Sequence, residues 1–171
     1  MFRRENVRPH ATIWHEAPVP AIPDMPATLS DASSLWLAYA TTSEPCGSSY
    51  AVVQFADVID HRLSPINDEG LGQHRYAAAG LKWYGFNEIL NSEETQRWRT
   101  LGARHWVVTF KDGTLDVVAA SAKVLTENVK APSPVAALLS VIASGHHAPG
   151  SAAQAAQPES EDTGRPLGDP R

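Results

Sequence analysis

The ten residues from Asn67 to Tyr76 (NDEGLGQHRY) form the densest cluster of chemically capable side chains in the sequence. Asp68, Glu69 and His74 supply two carboxylates and an imidazole. Such a set can hold a divalent cation, with His61 or His105 as a further ligand if the fold brings one close. The spacing, however, matches no established pattern. There is no two-histidine helical zinc motif, no EF-hand loop and no glycine-rich phosphate loop ending in Lys and Ser or Thr. The same residues also suit a structural loop. Asn67 and Asp68 can fold back on their own backbone, Gly70 and Gly72 supply turning freedom, and His74 and Arg75 can satisfy carbonyls or carboxylates at the loop's base. We therefore expect no metal and no cofactor. Asn67, Asp68, Glu69, His74, Arg75 and Tyr76 are the candidate binding loop, with Asp68, Glu69 and His74 as the alternative metal set.

A second group lies on a strand. Asp116 sits beside Thr109 and within diagonal reach of His105, a face that can do acid–base chemistry; no catalytic residue is assigned, and His74, Asp116 and His105 are the catalytic set only under the alternative, enzymatic reading. The competing expectation is that this face belongs to an edge hairpin and is solvated. No Gly-x-Ser-x-Gly elbow is present and no Gly-x-Gly-x-x-Gly follows a strand, which removes the usual support for a hydrolase or a dinucleotide site. Cys46 is the only cysteine, so neither an internal disulfide nor a cysteine zinc cluster can form, and we read it as an ordinary loop thiol.

The elements that must position these groups follow from composition and patterning. A chain of 171 residues with 43% hydrophobic content can fill one core and is too short for two full domains. Lys and Arg number 14 against 19 Asp and Glu, a net charge of -5, so no basic footprint exists for nucleic acid. No apolar run suits a membrane span or a secretory signal, and we expect a cytoplasmic protein. Pro18, Pro20, Pro23 and Pro26 make residues 1–27 an extended arm with Trp14 as its one large anchor. Residues 145–171 are too poor in large apolar side chains to order and are expected to be a disordered tail. A single compact domain spans residues 28–144.

Within that domain, Leu35–Ala40 and Tyr50–Ile59 read as one hairpin. Asp112-Gly113 reads as the two-residue turn of another, pairing Lys111 with Thr114, Phe110 with Leu115, Val108 with Val117 and Trp106 with Ala119. One of its faces is then wholly apolar, and the other carries His105, Val107, Thr109, Asp116 and Val118. Asn91-Ser92-Glu93-Glu94 caps a short helix, with Glu three residues after Asn91. Ser133-Pro134 starts an uncharged helix with Val135, Leu138, Leu139 and Ile142 on one face. That helix is expected to be buried in the monomer, with a homodimer contact through Val135–Ile142 as the alternative. The expected fold is α+β, a mainly antiparallel sheet of four to five strands built from two hairpins, with two short helices and flexible tails.

Asn67–Leu71, His74, Tyr76, Gly80-Leu81, Asn91-Ser92 and the run HWVVTFKDGTLDVVA from His105 to Ala119 together resemble a group of small bacterial proteins. Those proteins carry an NDEGL, His, Tyr and Gly-Leu series and a strand pair of the form TF-x-D-x-T-x-E, and no activity is assigned to them. The likeness covers roughly Leu35–Ala119. This chain departs by having Asp116 in place of Glu and a shorter connection between Trp98 and His105, which shortens a carboxylate and removes loop material. The resemblance implies a bacterial, intracellular accessory protein and no reaction. With the catalytic motifs absent, the expectation is a non-enzymatic module that binds a protein partner. The alternative is a small ligand- or metal-binding domain, or an enzyme, that uses the Asp68, Glu69 and His74 loop with Asp116.

Overall fold

The computed structural model describes residues 7–21, 25–42 and 48–145. The Cys46 loop and the C-terminal tail beyond Gly145 lie outside the described residues. The described chain forms strands β1 (His10–Ile13), β2 (Ala27–Ser30), β3 (Ser34–Thr42), β4 (Ser49–Ser64), β5 (Gly85–Leu90), β6 (Arg104–Thr109) and β7 (Thr114–Lys130), with helices α1 (Glu93–Arg97) and α2 (Pro134–Gly145). All seven strands join one antiparallel sheet in the order β1-β5-β6-β7-β4-β3-β2. The expectation of four to five strands is thus corrected to seven. The two expected hairpins are present as β3–β4 and β6–β7, and β1, β2 and β5 are the additions.

The physical reason for the undercount is that β1 and β2 are short edge strands in proline-flanked chain, where pattern is weak. β1 pairs with β5, His10 opposite Leu90 through Ile13 opposite Asn87. Trp14 follows directly, donates its backbone N–H to the carbonyl of Phe86 at 2.9 Å and enters the core. The chain then runs to the other side of the sheet, where the Ala21 N–H bonds to the Ala40 carbonyl at 2.7 Å and the Tyr39 hydroxyl donates to the Pro18 carbonyl at 2.8 Å. Residues 14–21 therefore strap β5 to β3.

Such a strap is short because the sheet is strongly curled. Four strand spacings separate β5 from β3, which would place them about 19 Å apart in a flat sheet. Yet the rings of Phe86 and Tyr39 lie 5.3 Å apart, and Phe55 on β4 meets Trp106 on β6 at 5.5 Å. Register slips in β4 at Tyr50–Val52, Val52–Val53 and Val58–Asp60, with Asp57 at a φ of 53°, mark where β4 departs from regular pairing with β7; such bulges bend a strand and tighten its twist. The main core fills the concave side.

The β6–β7 register also differs from expectation. Thr109 opposes Thr114 and Val108 opposes Leu115, while the Phe110 N–H bonds to the Gly113 carbonyl at 2.8 Å. The turn is centred on Lys111-Asp112, one residue earlier than Asp112-Gly113. Moving the centre by one residue moves the register by two, and two is the side-chain period. Trp106, Val108, Phe110, Leu115, Val117 and Ala119 therefore keep their common face, and all six lie in the core. The opposite face is not the solvated side of an edge hairpin, because β6 and β7 are interior strands and His105, Val107, Thr109 and Val118 are buried.

Both helices are capped differently from, or turned relative to, the sequence reading. Ser92 rather than Asn91 caps α1, accepting from the Thr95 N–H at 3.1 Å, and Asn91 sits at a φ of 59°. Helix α2 buries Ala137 and Leu138, with Val141 and Ile142 packed at the edge of the same contact, and leaves Val135 and Leu139 exposed. The small Ala137 allows the close approach to β3 and β4 that a larger residue would prevent.

Two stability tests follow. Trp14→Ala should cost about 3 kcal/mol or more in denaturant unfolding, as expected for emptying a core aromatic site. A loss under about 1 kcal/mol would show that the strap is not part of the core. Gly113 has no positive φ; a Cβ there would lie 2.9 Å from the Ser64 carbonyl oxygen. Gly113→Ala should accordingly cost about 1–3 kcal/mol through overpacking, and unchanged stability would show that the two backbones can separate freely.

Candidate functional site

The convex side of the sheet needs its own cover. Over β2, β3 and β4 that cover is α2; over β5, β6 and β7 it is the long connection from Pro65 to Tyr84 together with α1. Tyr76 packs there on Ile89 and Val107, flanked by Ala79 and Leu81, which is a small apolar contact for so long a segment. Polar anchors do much of the remaining fastening.

The central anchor is Asp116. Its Oδ2 lies 3.1 Å from His74 Nε2 and its Oδ1 lies 3.3 Å from His105 Nε2. His74 Nδ1 accepts the Tyr76 backbone N–H at 3.2 Å, which leaves Nε2 as the nitrogen that donates to Asp116. Around this pair, Arg75 meets Glu94 through Nη1 at 2.5 Å and turns Nη2 toward Asp116 Oδ1 at 3.9 Å. The Tyr76 hydroxyl donates to Glu94 Oε2. His105 is fully enclosed, with its Nδ1 3.5 Å from Glu94 Oε2 and without a hydrogen-bond partner.

Electrostatics follow from this geometry. Burial opposes ionisation of Asp116, but the hydrogen bonds from His105 and His74 outweigh it and hold the carboxyl well below the usual range. Glu94 is also held low: burial works against it, and the Tyr76 hydrogen bond with the Arg75 charge reverses the effect. The Tyr76 hydroxyl is pushed up to about 12, chiefly by burial and then by its bond to Glu94.

The sequence-derived residues therefore divide. His74, Asp116 and His105, the candidate catalytic set, come together. Both His74 nitrogens are occupied and His105 is enclosed, so neither ring offers a free nitrogen to a substrate. In the binding loop, the Asn67 side chain accepts the Gly70 N–H at 2.8 Å, and Asp68 accepts the Tyr84 hydroxyl at 2.6 Å while its own N–H reaches the Lys111 carbonyl at 3.0 Å. The Tyr84 bond leads in lowering the Asp68 carboxyl below its ordinary value. Glu69 points to solvent. The alternative metal set Asp68, Glu69 and His74 does not converge, and among the described residues no three His, Cys, Asp or Glu side chains are grouped to hold a cation.

Beside Asp116 opens a cleft of about 250 Å³, walled by His74, Arg75 and the end of β4 from Asp60 to Ser64. Glu94 joins the network around Asp116, and Asp60 and Arg62 line the cleft; sequence reasoning assigned none of the three to a site. Glu94 was legible only as a helix-cap residue, and Arg62 could be placed opposite Asp116 only once the β4–β7 register was known. No protein-family model, no curated protein and no solved structure matches the chain, so the site's meaning rests on its own chemistry.

Because Asp116 is held low in the folded protein, its contribution is fully present above the ordinary carboxylate value and is lost as pH falls through the depressed one. Asp116→Asn should cost about 2–3 kcal/mol at pH 7, in line with hydrogen bonds to a charged group. The gap between variant and parent in urea unfolding should then narrow from about pH 5 toward pH 2. A gap that stays constant across that range would mean that the carboxylate charge contributes nothing.

Proposed function

We propose that this protein is a non-enzymatic interaction module that binds a protein partner through the surface around Trp83. The observation that carries the reading is Trp83 itself, 65% exposed at the lip of an apolar groove of about 340 Å³. Trp14, Ala17, Val19 and Phe86 also line the groove, and Val19 is 67% exposed. Tryptophan is the side chain most often found at the energetic centre of an interface.

The turn that presents Trp83 is rigidly held. The Asn87 side chain, fully buried, accepts the Lys82 N–H at 2.8 Å and donates to the Lys82 carbonyl at 3.0 Å, and Thr109 Oγ1 donates to the same carbonyl at 2.8 Å. Tyr84 is fixed by Asp68 and held at a φ of 51°, a backbone conformation that a non-glycine residue adopts only when its surroundings impose it. A preorganised aromatic anchor loses little freedom on binding, which favours affinity. The occupied state of His74 and the enclosure of His105 support the non-enzymatic side of the reading. The bacterial and cytoplasmic setting belongs to the same proposal, from the resemblance and the single cysteine; no helix among the described residues is long and apolar enough to cross a membrane.

The test is affinity capture from bacterial lysate with the full chain and its Trp83→Ala variant, followed by titration of the purified partner. We expect one protein retained near stoichiometrically, and a loss of about 30-fold in affinity on truncating a hot-spot Trp, with the thermal midpoint unchanged. A partner bound equally well by the variant would overturn the role of Trp83. Absence of any stoichiometric partner would overturn the module reading.

A further inference from the structure

We infer that the cleft beside Asp116 binds a small zwitterion, a free α-amino acid with a modest aliphatic side chain. This site is separate from the Trp83 surface and stands or falls independently of it. Four charged side chains line the cleft, and they balance: Arg62 and Arg75 against Asp60 and Asp116. A ligand of one sign would be attracted by half of this set and repelled by the other half. A ligand carrying an ammonium beside a carboxylate complements both halves at once.

The available valences point the same way. Arg62 is the cross-strand partner of Asp116 and lines the cleft, yet among the described residues its side chain makes no hydrogen bond or ion pair, and the residue is exposed. Arg75 is fixed by Glu94 through one nitrogen, turns the other toward Asp116 at 3.9 Å, and stands in the cleft wall. Two guanidinium groups are therefore available to one carboxylate, the planar pairing that Arg favours. Asp116 spends one lone pair of each oxygen on an imidazole and has Arg75 Nη2 3.9 Å from Oδ1; a carboxylate has about four acceptor positions, which leaves the second position of Oδ2 for an ammonium. Asp60, exposed at the cleft wall, adds a second negative group. Ile66 and Val118 supply the apolar wall against which an aliphatic side chain would rest. The cleft of about 250 Å³ has room for such a molecule.

A polypeptide terminus carries only one of the two charges, whereas a zwitterionic phospholipid headgroup carries both, so the probes must separate these sources. L-valine, N-acetyl-L-valine, L-valine methyl ester and O-phosphoethanolamine would each be titrated into the full-length protein up to about 10 mM, a range suited to weak small-ligand affinities. Binding would be followed by backbone amide shifts of Asp116 and Val118 and by calorimetry. We expect saturable binding of L-valine, with both blocked derivatives and O-phosphoethanolamine weaker by at least about tenfold, the size of one lost charge-assisted contact. Arg62→Ala should weaken L-valine by a similar factor at an unchanged thermal midpoint, and Arg62→Gln serves if alanine perturbs the strand. Equal binding of the blocked forms, preference for O-phosphoethanolamine, indifference to Arg62, or no saturable shift at all would each overturn the assignment.

Discussion

A flat sheet of seven strands has two broad faces to cover, and the described residues, with only two small helices among them, cannot cover both. Curling is the constraint on which the rest depends. By bringing β3 and β5 into ring contact across four strand spacings, the sheet becomes its own second layer and buries Trp106, Phe55, Leu35, Leu37 and Leu115 on a single concave side. The curl leaves a seam between the two ends of the sheet. Residues 14–21 close it, inserting Trp14 against Phe86 and Trp106 while bonding to both β5 and β3. A segment rich in proline suits that task, since it must cross between strands rather than extend a ladder.

Curling makes the opposite face convex, and a convex face is harder to cover with compact apolar elements. Helix α2 manages one end through Ala137 and Leu138. Over β5–β7 the connection from Pro65 to Tyr84 offers two short 3₁₀ turns, Leu71–Gln73 and Ala77–Ala79, and few large apolar side chains. Buried charge then does the fastening. Taking Asp116 out of water is costly, and the cost is offset only because two imidazoles donate to it. Glu94 extends the network to α1 through Tyr76 and Arg75. Unlike apolar contact, these bonds are directional, so they specify where the connection lies as well as holding it.

How much of this could be seen in the sequence depends on range. Alternation in β6 and β7 identified the core face, and the face survived a misplaced turn because the error in register was two residues. Gly113 was legible only as part of a two-residue turn, whereas what requires glycine there is the carbonyl of Ser64, some fifty positions away, which no local signal reports. His74, His105 and Asp116 could be nominated by type; that all three meet depends on the crossover from β4 to β5. β5 itself, GFNEIL, was missed because buried Asn87 interrupts its apolar alternation, and that asparagine is there to hold the Lys82 turn. Leu139 and Val135 were assigned inward by periodicity alone, whereas the contact with β3 and β4 selects the side of α2 bearing small Ala137.

The Pro65–Tyr84 connection carries both surfaces to which we assign binding, and its fastenings make it one mechanical unit. Arg75 stands in the cleft wall, and Trp83 stands on the groove. Between them run the His74–Asp116 bond to β7, the Tyr76–Glu94 bond to α1 and the Asn87 grip on Lys82 from β5, with the Asp68–Tyr84 bond tying the connection to itself. A segment so held does not slide as a loop would. A ligand drawing on Arg75 and Asp116 would act on the first of these fastenings, and the other three would resist transmission to Trp83. Coupling between two sites needs an element with two arrangements that both ligands bias. These hydrogen bonds fasten this segment in a single arrangement, so the two proposed surfaces share one support.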